Sequence, residues 1–253
     1  MWFNQAKCDI YMGTGAGTKL LKEIGNAQKS VKISSPYLSP KMVDELIWLH
    51  HQGVKVSVIT SDTVHGHNGR QERSIKPLVV QNRHTDSRAI RSRKRLNRAR
   101  TILQIVGIAI AIHFVYWFFS STNGDYLFAL ALPAAIFIIG EYLRGKAKRT
   151  RIYSYSYSQL FPFRVFVTPD SNRINNMFVH GKIYIIDGHT AYLGSLNFTE
   201  SGTRYNYETR VRVTDLDVVG KIDREFDELY SHEELVYFGT EVWGKRLFAE
   251  PLN

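Results

Sequence analysis

Six residues between positions 180 and 197 have the types and spacing needed to hold and cut a phosphodiester. His180, Lys182, Asp187, Gly194, Ser195 and Asn197 follow the pattern H-x-K-x4-D-x6-G-S-x-N. A phosphodiester in reaction needs cations and hydrogen-bond donors at its non-bridging oxygens, a nucleophile in line with the leaving oxygen, and a proton donor for that oxygen. His180 can attack phosphorus, while Lys182, Ser195 and Asn197 can hold the phosphate. A lone His-x-Lys would mean little. Six fixed types over the 253 residues of this chain agree by chance on the order of 1 in 10^5, taking usage near 5% each.

The surrounding residues predict a hairpin that brings these groups together. His180 and Lys182 are two apart, so on a strand they share one face. "DGHT" at 187–190 is a turn that folds a second strand back, carrying Ser195 and Asn197 toward the same place. Ile183, Ile185 and Tyr192 supply the packed surroundings. Further strands are expected in "FPFRVFVTP" and "YETRVRVTD", and an amphipathic helix in "VVGKIDREFDELYSH".

The first part of the chain reads as a β-α-β unit. Leu20, Leu21, Ile24 and Ala27 have helical spacing, "VKISSPYL" reads as a strand, and "SPKMVDELIWLHHQG" has Ser39 at the N-cap, Pro40 at the first helical position and Gly53 at the stop. "VKVSVIT" follows as a strand, so a parallel pair joined by a crossover helix is expected. "GTGAGTK" at 13–19 lacks the ending of a phosphate-binding P-loop and follows no strong strand, and it reads as a flexible turn. His65-x-His67 is one pair in a glycine-containing loop and reads as surface. Residues 64–90 are expected to form a loop or short helix.

The net charge of +10 is concentrated in two places. Residues 91–100 and 144–151 hold eleven basic and no acidic residues, leaving the remainder near neutrality. Between them lie two apolar runs, 101–120 and 126–143, joined by the polar turn "STNGD". Each approaches the roughly 20 residues needed to cross a bilayer. Tyr116, Trp117, Tyr126 and Tyr142 lie toward their ends, where amphipathic rings favour the interface, and Pro133 is tolerable within a membrane helix. His113 reads equally as functional or structural. Basic flanks place both ends of the hairpin on the cytoplasmic side, with Asn123 and Asp125 opposite. "MWFNQAKCDIYMG" does not read as a secretory signal. The lone Cys8 offers no intrachain disulfide, and no Cys/His spacing resembles a zinc site. The expectation is a membrane protein with two spans, both termini in the cytoplasm.

Neither half of the remaining chain suffices for an α/β layer alone, so the two are expected to join. The organisation expected is residues 1–90 as the first part of a catalytic domain, 91–151 as an inserted transmembrane hairpin, and 152–253 as the second part carrying the motif. The full pattern resembles the HKD motif of the phospholipase D superfamily. The resemblance extends to Asn206-x-Glu208, matching the acidic position that orients the catalytic histidine in that family, and to the opening β-α-β unit. It implies an α/β fold, a mixed β-sheet flanked by helices, here interrupted by the two-helix transmembrane hairpin.

The family's chemistry is a two-step reaction that needs no metal or cofactor. One histidine attacks phosphorus to form a phosphohistidine, a second motif's histidine protonates the leaving alcohol, and water or another alcohol releases the product. This chain has one His-x-Lys, so a homodimer with two facing His180 residues is implied. Asp187 reads as structural, and Tyr37 equally as pocket lining or packing. The catalytic set implied is His180, Lys182, Asn197, Ser195, Glu208 and, in a supporting place, Asp187. The membrane hairpin points to phospholipid hydrolysis or phosphatidyl transfer. A membrane-anchored nuclease acting on DNA or RNA is the alternative, and a non-catalytic phosphate-binding scaffold the third reading.

Overall fold

The computed structural model describes residues 6–61, 75–120, 131–166, 179–232 and 239–253. The chain divides into two compact units, one made of residues 1–81 and 157–248, the other of 82–156 and 249–253. In chain order the elements are β1 (Cys8–Thr14), α1 (Thr18–Gly25), β2 (Ser30–Ser34), α2 (Pro40–His51), β3 (Lys55–Ser61), a 3-10 turn (Lys76–Leu78), β4 (Val79–Thr85), α3 (Ser87–Ser120), α4 (Ala131–Arg149), β5 (Tyr153–Gln159), β6 (Phe163–Phe166), β7 (Lys182–Ile186), β8 (Thr190–Gly194), α5 (Glu200–Arg204), β9 (Tyr207–Val213), α6 (Leu216–Ser231) and α7 (Thr240–Leu247).

The first unit is built on a seven-stranded mixed sheet of order β1-β9-β8-β7-β2-β3-β6. It draws β1, β2 and β3 from before the apolar runs and β6 to β9 from after them. β2, β3 and β6 run parallel, while β2-β7, β7-β8, β8-β9 and β9-β1 are antiparallel. Period-2 alternation sends side chains to two covered faces. On one, Val31, Ile33, Val56, Val58 and Tyr184 pack with Leu20 and Ile24 of α1 and Met42 and Leu46 of α2. On the other, Ile59, Ile185, Ala191 and Val213 pack with Val219, Ile222 and Phe226 of α6.

A charged contact ties α6 to the sheet centre. Lys32 of β2 reaches Asp223 and Asp227, one helical turn apart on α6, each at 2.8 Å. Burial by itself lowers the Lys32 pKa, but the two carboxylates outweigh it and hold the ammonium above its ordinary value.

The start and stop signals of α2 are met by the structure. Ser39 is the extended N-cap, Pro40 opens the helix, and Gly53 follows the C-cap with φ 87°. Two expectations need correction. "GTGAGTK", expected to follow no strong strand, overlaps one: Gly13 and Thr14 close β1, and the segment then leads directly into α1. Gly17 of that segment is needed for close approach: a Cβ there would meet the Thr203 backbone at 2.5 Å, where Gly17 N donates to Thr203 O. Residues 79–85, expected within a loop or short helix, form β4, which pairs with β5 in a separate two-stranded sheet. Residues 64–74 lie outside the described residues.

The second unit is dominated by α3 and α4, which run antiparallel. Arg100 of α3 meets Glu141 of α4 at 3.2 Å, and Arg144 binds the same carboxylate at 3.0 Å. Gly107 lies against Ile136, and Gly140 against Gln104 and Arg100. Among the described residues one helix, α3, is long and apolar enough to cross a membrane. The second apolar run, 126–143, falls partly outside the described residues, and α4 begins at Ala131. The basic residues 91–100, expected as a flank of the first apolar run, lie in the first turns of the same 34-residue helix, which starts at Ser87. The C-terminal residues close this unit, with Tyr155 donating its hydroxyl to Pro251 O and Asn253 its amide to Lys148 O, both at 2.9 Å.

Candidate active site

The sequence motif converges at one end of the first unit's sheet, around the start of β7, the end of β8 and the start of β9. Lys182, the first residue of β7, stands opposite Gly194, the last of β8, and Gly194 stands opposite Arg210 of β9. The β7–β8 turn at the far end sets this register. Gly194 is required by packing, since a Cβ there would land on the Thr209 carbonyl oxygen.

His180 lies in the segment immediately before β7 and is exposed. The strand expected to carry both residues begins at Lys182, and the histidine sits on the approach to it. Gly181, between them, has its carbonyl bonded by Ser34 Oγ at 3.3 Å, which fixes the approach against the end of β2.

Lys182 and Glu208 are both buried, at 7% and 8% exposure. Burial lowers the Lys182 pKa below that of an ordinary lysine, partly opposed by the charge of Glu208. Glu208 accepts a hydrogen bond from Ser195 Oγ on Oε2 and one from Asn206 Nδ2 on Oε1, the latter at 3.2 Å. Ser195 is held in turn by β9: its Oγ accepts from Thr209 N and its own N donates to Thr209 O, both at 3.0 Å. A hydroxyl has one proton. That proton goes to Glu208, so Ser195 supports the carboxylate in this arrangement.

Asn197 carries a buried Oδ1 with no hydrogen-bond partner among the described residues. Its neighbours are tightly fixed. Tyr184 is fully buried and donates its hydroxyl to Leu196 O at 2.6 Å, and burial pushes that phenol's pKa well up. Phe198 N donates to the buried Ser35 Oγ at 2.9 Å, and Ser39 N donates to Phe198 O at 3.2 Å. Asn197 thus carries an unsatisfied amide oxygen in a tightly bonded segment, a position that ordinarily has a reason. Tyr37, whose carbonyl accepts from Ser35 Oγ at 2.7 Å, is 40% exposed at the same end.

Asp187 does not join this cluster. It lies at the opposite end of β7, about 16 Å along a strand from Lys182 at roughly 3.3 Å per residue. It has φ 54°, and its carboxylate accepts from the backbone N–H groups of Gln28, Lys29 and Ser30 at distances from 2.7 Å. Burial raises its pKa, and those donors more than reverse the effect, so the carboxyl titrates below the usual range. Its bonds tie the turn after β7 to the α1–β2 connection. Sequence reasoning missed Ser35 and Tyr184, which fix the Asn197 segment. The signal for Ser35 was its place just past the first parallel strand, where ligands of α/β sheets commonly gather.

Residues 20–230 match the family model described as "Cardiolipin synthase, PLD-like domain". The chain belongs to this PLD-like family. Comparison with curated proteins gives no match. Among solved structures, the PLD-like chain is similar to NucT from Helicobacter pylori, 16% identical over 92% of this chain and 100% of that one, with a TM-score of 0.47. It is similar to Nuc of Salmonella typhimurium, a phospholipase D family member, at 14% identity over 92% and 99% of the two chains and a TM-score of 0.45. It also resembles phosphatidylserine synthase of Haemophilus influenzae, 11% identical over 93% of this chain and 41% of that one, with a TM-score of 0.43.

Proposed function

We propose that this PLD-like chain is a membrane-held phosphodiesterase that works through a phosphohistidine. The observation that carries the reading is the buried Lys182 and Glu208 at the same sheet end as the unsatisfied Oδ1 of Asn197. A lysine whose pKa is lowered by burial is costly to keep and is a functional-site signature rather than a stabilising device. In the first step His180 attacks phosphorus, a P–N bond forms and the P–O bond to the leaving alcohol breaks. Lys182 offsets charge on the non-bridging oxygens, and Asn197, turned about its last torsion, offers them its Nδ2 donor. Glu208, fixed by Ser195 and Asn206, orients the histidine. The proton for the leaving alkoxide comes from His180 of a second protomer. Water or a second alcohol then attacks phosphorus and the P–N bond breaks.

The membrane part of the proposal rests on α3, whose apolar residues 101–120 match the hydrocarbon thickness at 1.5 Å per residue. With residues 126–143 as a return span, both basic segments and both termini lie in the cytoplasm. Held at a bilayer, the site meets phospholipid phosphodiesters first, so lipid hydrolysis or phosphatidyl transfer is the favoured reaction. Nuclease activity is the second reading, favoured by the basic helical segment of the second unit.

The purified chain in nanodiscs, with chelator present, is offered phosphatidylglycerol, cardiolipin, and single- and double-stranded DNA and RNA, with His180→Ala as control. Lipid turnover alone supports the first reading, and nucleic-acid cleavage alone supports the second. Activity surviving in His180→Ala overturns the mechanism, and no turnover of any phosphodiester returns the chain to a phosphate-binding scaffold.

A further inference from the structure

The N-terminal turns of α3 carry seven basic residues between Arg88 and Arg100 and no acidic one. Helices ordinarily intersperse the two signs, because like charges three or four residues apart repel. Here Arg88 and Arg91, Arg91 and Arg95, and Lys94 and Arg98 are such pairs. The start of a helix is also the end where cations are disfavoured, and the first turn of α3 has no acidic residue, with Asp86 beyond it accepting from Arg88 N at 2.7 Å and Ala89 N at 3.1 Å. The like-charge pairs therefore cost the free protein stability, offset at the helix start by Asp86, which caps it and lies near Arg88 and Arg91. The segment is nevertheless well formed, because α4 packs beside it, with Ala147 only 2% exposed and the Arg100–Glu141–Arg144 pairs joining the two helices. Lys148 and Arg149 add two more exposed cations.

The positive-inside rule counts all of these cations, but direct contact with lipid headgroups reaches only those nearest the bilayer. If residue 101 marks the hydrocarbon edge, Arg98 and Arg100 fall within the headgroup layer, which is roughly 5–8 Å deep on each side. Arg91 is then about 15 Å and Arg88 about 20 Å from that edge. That leaves them about 7–15 Å beyond the headgroups, comparable to or longer than the Debye length of about 8 Å. The 20-residue apolar run already fills the hydrocarbon, so the helix has no spare length with which to submerge them.

We propose that this membrane-distal stalk, centred on Arg88, Arg91, Lys94, Arg95, Lys148 and Arg149, is a binding surface for the phosphate backbone of nucleic acid. A rigid rod with a single sign of charge, about 20 Å long, spans several consecutive phosphates of an extended strand. The inference rests on the reading of α3 as a membrane span and not on the reaction assigned to the site.

The test uses the full chain carrying His180→Ala, so that turnover does not interfere, in nanodiscs of phosphatidylcholine, which brings no net charge. Binding of a fluorescent single-stranded DNA 30-mer is followed by anisotropy between 50 and 200 mM salt. The triple variant Arg88→Gln, Arg91→Gln, Lys148→Gln is expected to bind at least about 10-fold more weakly, with the slope of log K against log salt reduced by about 2. Glutamine is a good helix former, circular dichroism checks that the helix persists, and the charge-keeping Arg88→Lys, Arg91→Lys pair should bind as the parent does. Unchanged affinity in the triple variant overturns the proposal. So does loss of DNA binding when phosphatidylglycerol replaces phosphatidylcholine, since the stalk would then be occupied by headgroups. Anisotropy needs no turnover: a chain inert toward every phosphodiester would sink the proposed reaction and leave the stalk standing, and an active enzyme with a non-binding stalk would do the reverse.

Discussion

Glu208 receives the hydroxyl proton of Ser195, while the same hydroxyl oxygen accepts from the backbone of Thr209. Ser195 is therefore part of the frame that holds the carboxylate, and its removal should look like damage to Glu208. Ser195→Ala is expected to lower kcat with little change in KM, as is Glu208→Gln, which keeps the side chain's shape, removes its charge and costs about 10²-fold. If Ser195 instead held the substrate phosphate, KM would rise with kcat intact. Steady-state kinetics on whichever phosphodiester is turned over distinguish the two.

Lys182 carries a stability penalty that depends on pH. Burial makes its pKa lower in the folded chain than in the unfolded chain, so between the two values the unfolded chain binds more protons and stability rises with pH. Below both values the penalty is fully present. Lys182→Met is expected to be inactive yet about 1 kcal/mol more stable at neutral pH, with the advantage shrinking as the pH rises through the alkaline range. Denaturant melts at several pH values measure this, and a variant less stable than the parent at pH 7 would contradict it.

Asp187 behaves in the opposite sense. Its carboxyl titrates lower in the folded chain, so its contribution is present above the unfolded pKa and is lost as pH falls through the folded one. Asp187→Ala leaves three backbone donors of the α1–β2 connection without their acceptor, a loss of about 1–3 kcal/mol. The parent and the variant should converge in stability at strongly acid pH. Because the residue lies at the far end of β7, kcat at a temperature where the variant is folded should stay close to the parent's.

What could be seen in the sequence follows from what each segment buries. The β2–α2–β3 unit and the β7–β8 hairpin were legible because their inward residues alternate or repeat with helical spacing, and because Ser39, Pro40 and Gly53 mark boundaries chemically. β1 was not, since it is an edge strand with Ile10 66% and Met12 64% exposed, and no buried face shaped its pattern. The first turns of α3 were read as flank because a helix polar all round leaves no apolar period, although Arg and Lys are good helix formers. In the site, the residue types were legible and their partners were not. The spacing places Ser195 near phosphate, but only the approach of β9 at Gly194 shows that its proton goes to Glu208.

The dimer proposed to complete the site makes a quantitative prediction of its own. If each reaction needs the histidines of both protomers, a dimer with one His180→Ala chain has no complete pair, whichever protomer's histidine would attack. Mixing parent and His180→Ala chains, allowing subunits to exchange, should then give activity per total protein that falls as the square of the parent fraction. A chain that works alone gives a straight line, since each parent protomer retains its full activity beside an inactive neighbour. At equal amounts the two cases differ twofold, about one quarter against one half of the parent activity by random pairing of protomers. Mass measurement on the same samples shows whether the chains are paired, so a straight line from a dimeric sample would refute shared catalysis while leaving the dimer itself intact.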